Sequence, residues 1–287
     1  MKAGIDSYSY HRFFGEIYPQ QIAPPKQMTV EDFLMRAHEL GVDGVSLESC
    51  FLPSFDEGFL RDLKARLDEY HLERVFAWGH PRGLEAGKSE KAFQEMLAAF
   101  RHARIIGAKV MRVVSSNRIF RGEPHRPQIE RLKELYRQAV QVAAEYDIKI
   151  AVENHLDYDS SELLEILEHV NSPYLGINFD SGNFVRLQED PTAAMQKLAP
   201  YVFATHLKDL RVTPGVAPDQ WNYYTTVAIG DGIVDNLRIA QLLKEIGYQG
   251  LLAVEIDFLH PDYHNDEDTA VARSVAEIKR IISVLKN

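Results

Sequence analysis

Hydrophobic and polar positions follow two alternating patterns along the chain. Short apolar runs recur, and between them lie longer segments in which apolar residues stand three and four positions apart. The short runs are typical of buried β-strands and the longer segments of amphipathic helices. The predicted strands are residues 3–9, 44–48, 74–78, 109–114, 149–153, 174–180, 202–207 and 251–256.

The second pattern predicts a helix after each strand. These helices are residues 30–40, 60–70, 92–106, 129–146, 161–170, 193–199, 237–246 and 269–285. Strands that each precede a helix, with no break in composition, predict one domain over residues 1–287: a single α/β (β/α)8 barrel, or TIM barrel. A doubly wound open sheet is the alternative. We favour the barrel because no glycine-rich phosphate-binding loop follows the first strand.

Two long predicted loops contain several aromatic residues. Residues 13–27 follow the first predicted strand, and residues 211–228 follow the seventh. In a barrel both loops lie at the carboxyl ends of the strands, where active sites are found. Two interpretations remain open: the loops cover a small ligand and exclude water, or they make packing or oligomer contacts.

The composition is that of an ordinary globular protein, with 287 residues of which 45% are hydrophobic and 26% charged. The formal net charge of -10 argues against a nucleic-acid partner, because phosphate-binding proteins carry clustered Lys and Arg. No apolar run reaches the roughly 18 residues of a membrane span, and we expect no signal peptide. The single cysteine, Cys50, favours a reducing compartment, so we predict a cytoplasmic protein with a buried, inert thiol.

The fifth to eighth predicted strands end on residues able to bind a metal, namely Glu153, Asp180, His206 and Glu255. A carboxylate at the end of an apolar strand loses its hydration, and three such carboxylates close together repel one another unless a cation lies between them. Oxygen ligands with one imidazole and no thiolate suit Mn²⁺, Mg²⁺ or Co²⁺ rather than structural zinc. We therefore predict one divalent metal, with Mn²⁺ as the first choice.

Each of these residues has a simpler explanation when it is taken singly. A carboxylate at a strand end often caps the next helix or pairs with a lysine. A lone histidine such as His206 is more often a hydrogen-bonded core residue than a ligand. The combination of all four on consecutive strand ends favours the metal site.

The residues around these positions also resemble a known family. The runs concerned are Val152-Glu153-Asn154, Asp180-Ser181-Gly182-Asn183, His206-Leu207-Lys208-Asp209, Val254-Glu255 and the turn Gly230-Asp231-Gly232. They look like signatures of the xylose isomerase-like TIM barrel superfamily, in particular its sugar isomerase and epimerase branch, over nearly the whole chain. The resemblance implies that the Glu, Asp, His and Glu of these runs ligate one Mn²⁺, Mg²⁺ or Co²⁺. It also allows a homo-oligomer, since family members often form dimers or tetramers.

The chain departs from the family pattern in two places. Many family epimerases have a histidine three residues after the metal-binding aspartate, where this chain has Asn183. They also carry an arginine a few residues after the metal-binding histidine, and Arg211 is near that position without matching it. These differences weaken a simple assignment as a ketose 3-epimerase.

The predicted metal site favours proton transfer next to a carbonyl. A divalent metal that chelates two adjacent oxygens of a hydroxy-ketone polarises the carbonyl and stabilises an enediolate. Glu153 and Glu255 would flank such a substrate and act as catalytic base and acid. This predicts a sugar isomerase or epimerase that acts on a small-molecule sugar or sugar derivative.

A decarboxylase is the alternative reaction on the same site. The opening segment, residues 6–12, is similar to proteins of this superfamily that decarboxylate 3-oxo sugar acids. Loss of CO₂ from a sugar-acid substrate needs a cation that holds the departing carboxylate. The candidates are Arg12, Arg112, Arg118 and Lys208.

Other polar residues near strand ends are candidates for substrate binding. Glu48 ends the second strand, and His80 follows the third, where it would contact a substrate hydroxyl or an additional zinc. His155 stands two residues after Glu153 and would contact substrate or orient that glutamate. The remaining members of the predicted substrate-binding set are Arg112, Arg118, Asn183 and Lys208.

Two functions of a different class remain as alternatives. A metal-dependent DNA repair nuclease shares this fold but needs two or three zinc ions and a basic face. The net charge argues against it, and the fourth strand end, residues 112–115, has no histidine for a second metal. A non-catalytic binding module also fits the fold, because fold does not determine function. A full ligand set that includes two glutamates favours an enzyme.

Overall fold

The computed structural model describes residues 1–286 and contains a closed parallel barrel surrounded by helices. Eight strands close the barrel in the order β1-β10-β7-β6-β5-β4-β3-β2, and β8 and β9 pair as a separate antiparallel hairpin. The predicted (β/α)8 fold class is therefore confirmed. The strands are β1 Lys2–Asp6, β2 Gly44–Glu48, β3 Glu73–Ala77, β4 Val110–Val114, β5 Lys149–Glu153, β6 Leu175–Asp180, β7 Val202–Leu207, β8 Asp209–Val212, β9 Tyr224–Val227 and β10 Leu251–Val254.

The helices connect successive parallel strands, which cannot be joined by short turns. They are α1 Val30–Glu39, α2 Glu57–Glu69, α3 Glu90–Ile106, α4 His125–Tyr146, α5 Ser160–Val170, α6 Ser181–Arg186, α7 Pro191–Leu198, α8 Asn236–Glu245 and α9 Glu267–Lys286. Among residues 1–286, none of these helices combines the length and the apolar composition that crossing a membrane requires.

Side-chain caps explain where several helices begin and end. The Thr29 side chain accepts the amide of Asp32, whose carboxylate accepts the amide of Thr29 in return, so α1 begins at Val30. At the end of α3, Gly107 has φ 79°, a left-handed conformation that glycine adopts without strain. Gly107 thus ends α3 shortly before β4 begins at Val110.

Three local features differ from the sequence-based expectation. The predicted loop 211–228 contains a hairpin, because its β-branched run 225–227 pairs antiparallel with residues 209–211. The first strand ends at Asp6 rather than at position 9, because the Asp6 carboxylate accepts the amide of Tyr8 and begins a 3-10 turn. Cys50 is exposed rather than buried, because it lies in the short turn Ser49–Phe51 beyond the end of β2.

The inside of the barrel is filled by small and branched side chains. A separate buried cluster comes from β3, β5, β7 and β10 and consists of Val75, Ala151, Ala204, Leu251 and Ala253. The larger core lies between the strands and the surrounding helices.

The register between β6 and β7 shifts by one residue. Ile177 pairs with Val202, whereas Asn178 pairs with Ala204, so Phe203 is the extra residue of a bulge. Beside the bulge, a Cβ on Gly176 would overlap the carbonyl oxygen of Tyr201 and lie 2.6 Å from the Phe203 ring. The absence of a side chain at position 176 therefore allows β6 and β7 to approach each other.

Replacing this glycine should destabilise the barrel. We expect Gly176→Ala to lower the free energy of unfolding by about 1–3 kcal/mol, since the close contacts are with backbone and an aromatic ring. Urea denaturation measures the change. Gly58→Ala in α2 is the control, because nothing lies within 4 Å of its added Cβ. This control should keep or slightly raise stability, and equal stability of the two variants would contradict the packing explanation.

Candidate metal centre

Four side chains meet inside the barrel at the carboxyl ends of β10, β7, β6 and β5. Glu153 is the last residue of β5, and it stands two positions after Ala151 of the apolar interior cluster. His206 and Glu255 stand two positions after Ala204 and Ala253 in the same way. Because side chains two apart along a strand share a face, these three polar residues also point into the barrel.

The metal-ligand group consists of Glu153, Asp180, His206 and Glu255. Each offers one ligand atom, and these atoms all lie within 4.8 Å of one another. All four residues are buried, with at most 3% of their surface exposed. The structure thus brings together the four side chains that the strand ends predicted.

Unpaired polar atoms test whether this group fits a metal ion. Oε1 of Glu153, Oε2 of Glu255 and Nδ1 of His206 are buried and have no hydrogen-bond partner outside the metal-ligand group. Nδ1 of His206 lies 2.5 Å from Glu255 Oε2 and 3.4 Å from Glu153 Oε1. Buried polar atoms are normally satisfied, and three carboxylates with one imidazole are the donors that divalent cations take. The group has the chemistry of a divalent-metal site.

Asp180 is held by its own helix. Its Oδ1 accepts the amides of Gly182 and Asn183, both at 2.9 Å, and so caps α6. Its Oδ2 accepts Nδ2 of Asn183 at 2.9 Å and Nζ of Lys208 at 2.6 Å. Asn183, predicted to bind substrate, therefore contacts the Asp180 carboxylate and also donates to the carbonyl of Asn154.

Arg112 lies between two buried glutamates. Its Nη2 is 2.8 Å from Oε1 of Glu48, and its Nε is 2.5 Å from Oε2 of Glu153. Burial raises the pKa of Glu48 to about 8 despite this arginine. Burial also opposes the charge on Glu153, yet Arg112 and then His206 hold its pKa well below the usual range. The arginine therefore favours the charged form of the glutamate in the metal-ligand group.

Lys208 also forms ion pairs with carboxylates. Its ammonium lies 2.6 Å from Asp180 and 3.1 Å from both Glu255 and Asp257. Burial disfavours its charge, but these three carboxylates raise the pKa of Lys208 well above its usual value. Asp257 is held in turn by an ion pair with Arg186. The cation is 2% exposed, which leaves it little access to a substrate.

The local charge balance is negative. Burial lowers the pKa of His206, but Glu255, Glu153 and Asp6 outweigh it and raise the pKa well above its usual value. The centre combines six carboxylates with three full cations, and none of their side chains is more than 14% exposed. The carboxylates are Asp6, Glu48, Glu153, Asp180, Glu255 and Asp257, and the cations are Arg112, Arg186 and Lys208. A divalent cation would compensate this excess directly.

Three residues predicted to bind substrate, His80, Arg118 and His155, do not belong to the metal-ligand group. The His80 ring stacks on Trp78 at 5.0 Å, and its Nε2 is 3.9 Å from Glu95 of α3, outside the group. Arg118 is exposed, and its guanidinium lies 5.5 Å from the ring centroid of Trp221. His155 has a buried Nδ1 without a hydrogen-bond partner, and burial lowers its pKa. No hydrogen bond between His155 and Glu153 is present within the described residues.

Sequence reasoning missed two carboxylates of the centre. Asp6 ends β1, and its Oδ2 lies 3.2 Å from Nε2 of His206. Asp257 lies two residues beyond Glu255 and pairs with Lys208. The signal was available for both, because each stands at or just after a strand end, as the predicted ligands do. Only the closed barrel shows which residues they face.

The Gly-Asp-Gly turn after β9 is organised by Asp209. Its Oδ2 accepts the amides of Gly230 and Gly232, both at 2.9 Å, and a Cβ on Gly232 would overlap this carboxylate. Arg211, considered above as a near match to a family arginine, pairs instead with Asp262 at 3.2 Å on the surface. The turn Gly230-Asp231-Gly232 therefore donates two backbone amides to the carboxylate of Asp209, the first residue of β8.

Comparison with known families agrees with this architecture. The family model for the xylose isomerase-like TIM barrel matches residues 34–281. The chain therefore belongs to this family, and the resemblance inferred from the strand-end runs is confirmed.

Individual relatives are similar over different lengths. L-ribulose-5-phosphate 3-epimerase UlaE of Escherichia coli O157:H7 is 26% identical over 165 residues, which is 56% of this chain and 54% of that protein. The chain thus spans about half the length of the curated relatives it matches. A D-psicose 3-epimerase solved in the presence of D-fructose superimposes with a TM-score of 0.75 at 14% identity, over 100% of both chains. An IolI protein with a bound zinc atom gives 0.74 at 16% identity, over 99% and 98%. At these identities the two structures show the fold alone.

Removing Arg112 should destabilise the metal-free protein. We expect Arg112→Met to lower the free energy of unfolding by about 3–5 kcal/mol, because two buried glutamates lose their cation. Urea denaturation in the presence of EDTA measures the loss. The double variant with Glu153→Gln should recover part of it, since Arg112 holds that glutamate in its charged form. A loss below about 1 kcal/mol would show that Arg112 does not neutralise the pair.

Divalent metal should stabilise the folded protein. A ligand that binds only the native state adds about 2.7 kcal/mol at 100 times its Kd, so Mn²⁺ should raise the melting temperature in a concentration-dependent way. Asp180→Asn should reduce this shift strongly, whereas Asp219→Asn, at an exposed loop position, should retain it. Differential scanning calorimetry after EDTA dialysis is the measurement. An equal shift in both variants would exclude Asp180 as a ligand.

Proposed function

We propose that the protein is a divalent-metal-dependent sugar isomerase or epimerase, which moves a proton on a carbon next to the carbonyl of a small-molecule sugar. The observation that carries this proposal is the metal-ligand group, whose ligand atoms lie within 4.8 Å of one another. A divalent cation bound there supplies the positive charge that polarises the substrate carbonyl. Mn²⁺ is the proposed ion, with Mg²⁺ and Co²⁺ as alternatives that suit the same donors.

The two glutamates of the metal-ligand group are the proposed acid and base. Their strands, β10 and β5, are the outer members of four consecutive barrel strands, and β7 and β6 lie between them. Glu255 and Glu153 thus occupy the two ends of an arc whose middle is formed by Asp180 and His206. A sugar carbon between the glutamates presents a different face to each, so one can remove a proton and the other can return it.

In each of these glutamates, the carboxylate oxygen that is not paired with Arg112 or Lys208 is the proposed proton carrier. Oε2 of Glu153 is paired with Arg112 and Oε1 of Glu255 with Lys208. The other oxygens, Glu153 Oε1 and Glu255 Oε2, lie 3.4 and 2.5 Å from Nδ1 of His206 and face the interior of the metal-ligand group. The cations thus fix the orientation of each carboxylate, and the oxygens that face the site would exchange the proton with the substrate.

Neutral polar groups and aromatic rings would hold the rest of the sugar. The unpartnered Nδ1 of His155 is available to a substrate hydroxyl. Trp221 lies 5.7 Å from the Tyr18 ring and 5.2 Å from the Phe258 ring, so the loops after β1, β8 and β10 meet in one aromatic cluster. Arg118 stacks on its Trp221 member. A cover of this kind excludes water from the site of proton transfer.

Known relatives support the sugar class. The chain is similar over about half its length to an L-ribulose-5-phosphate 3-epimerase, and its barrel superimposes on a D-psicose 3-epimerase. We propose by this similarity that a ketose or ketose derivative is the substrate.

The ion pairs already formed by the candidate cations favour epimerisation over decarboxylation. Loss of CO₂ needs a cation free to hold a carboxylate, yet Arg112, Lys208 and Arg12 each pair with glutamate or aspartate. Arg118 is exposed and faces Trp221, so it remains the candidate for an anionic substituent.

Proton exchange with solvent tests the proposal. The Mn²⁺-loaded protein, incubated in D₂O with a panel of ketoses, ketose phosphates and 3-oxo sugar acids, should place deuterium on a carbon next to the carbonyl without releasing CO₂. Glu255→Gln and Glu153→Gln should each lower the rate by about 10²–10⁴, the usual contribution of a general acid or base. Mass spectrometry measures the exchange.

Two controls make this experiment decisive. Metal content must be measured in each variant, so that loss of proton transfer is separated from loss of the ion. Glu134→Gln, an exposed glutamate of α4, should retain the full rate. Stoichiometric CO₂ release from a 3-oxo sugar acid would overturn the isomerase proposal in favour of the decarboxylase.

A further inference from the structure

A buried aspartate faces the histidine of the metal-ligand group from the far side of the ring. Asp6 is fully buried at the end of β1, and its Oδ2 lies 3.2 Å from Nε2 of His206. Neither atom has another hydrogen-bond partner. The contact crosses β10, which lies between β1 and β7 in the barrel order, so it exists only because the barrel closes.

The two ring nitrogens of His206 therefore face different groups. Nδ1 points toward Glu255 and Glu153, at 2.5 and 3.4 Å, whereas Nε2 points toward Asp6. A histidine that binds a cation through Nδ1 keeps its proton on Nε2. A carboxylate beside that nitrogen favours this tautomer and increases the basicity of the coordinating nitrogen.

Asp6 is itself held in place by the backbone. Its Oδ1 accepts the amide of Tyr8 at 2.6 Å and so begins the turn after β1. One oxygen is thus fixed to the chain and the other is directed at the histidine. The bond to Tyr8 alone would account for a structural aspartate, but it does not account for the buried Oδ2, which has His206 as its nearest ionic partner.

We propose that Asp6 is a positioning residue that orients His206 and strengthens its bond to the divalent cation. The inference rests on the proposed metal site and assigns Asp6 no contact with substrate. Partners that orient a metal-bound histidine typically contribute about 10–100-fold to metal affinity. The same range is expected here.

Metal affinity of an Asp6 variant tests this role. Asp6→Asn retains an oxygen for the Tyr8 amide but removes the negative charge beside Nε2. We expect its Kd for Mn²⁺, measured by isothermal titration calorimetry without substrate, to rise by about 10–100-fold. Asp43→Asn is the matched control, since the Asp43 carboxylate accepts the amide of Ala3 at the opposite end of β1 and lies away from the centre. Its Kd should equal that of the wild type.

The tautomer of His206 in the wild-type protein gives an independent readout that does not require a variant to fold. With ¹⁵N-labelled histidine and Zn²⁺ as a diamagnetic probe, Nε2 should carry the proton and exchange it slowly with water. Fast exchange of the Nε2 proton would overturn the role of Asp6, whereas a proton on Nδ1 would overturn coordination through that nitrogen.

The possible failures are distinguishable. If Asp6→Asn binds Mn²⁺ as tightly as the wild type, the inference about Asp6 is wrong and the metal site stands. If the wild-type protein itself binds no divalent cation, the proposed function fails, and the positioning role fails with it.

Discussion

The excess of buried negative charge at one end of the barrel is the constraint on which the rest of the site depends. Carboxylates from β1, β2, β5, β6 and the segment after β10 converge there, and three cations do not balance them. Charges removed from water are costly unless they are paired. The fold therefore places Arg112, Lys208 and Arg186 beside these carboxylates, and a divalent cation in the metal-ligand group would reduce the remaining negative charge.

This balance also decides which side chains remain for a substrate. Arg112 and Lys208 lie close to the metal-ligand group, but their charges are used by neighbouring carboxylates. Binding an anionic group of a substrate inside the barrel would require a cation that is not already paired with a carboxylate of the protein. The uncommitted groups are instead the neutral His155 imidazole and the aromatic cluster around Trp221. An environment of this kind suits the hydroxyls and apolar faces of a sugar better than a second carboxylate.

The strand ends explain why the four candidate ligands were predictable. Parallel strands place their carboxyl ends at one rim, so a residue such as Glu153 or Asp180 that ends an apolar run must reach that rim. The same rule applies to Asp6, which the strand prediction missed because the first run was extended to position 9. Partners across the barrel were not predictable, since the contact of Asp6 with His206 joins residues 200 positions apart.

The sequence by itself determined the fold class and the family, and it predicted the four residues that the structure brings together at one end of the barrel, because each follows from local periodicity or from a short run at a strand end. The tertiary structure alone decided how their charges are shared. Lys208 and Arg112, predicted to bind substrate, form ion pairs with Asp180 and Glu153, and the Asn183 side chain donates a hydrogen bond to Asp180. The physical reason is that barrel closure and burial determine which charged groups lie close together and how far each is exposed to water. Neither the distances nor the exposure can be derived from the spacing of residues along the chain.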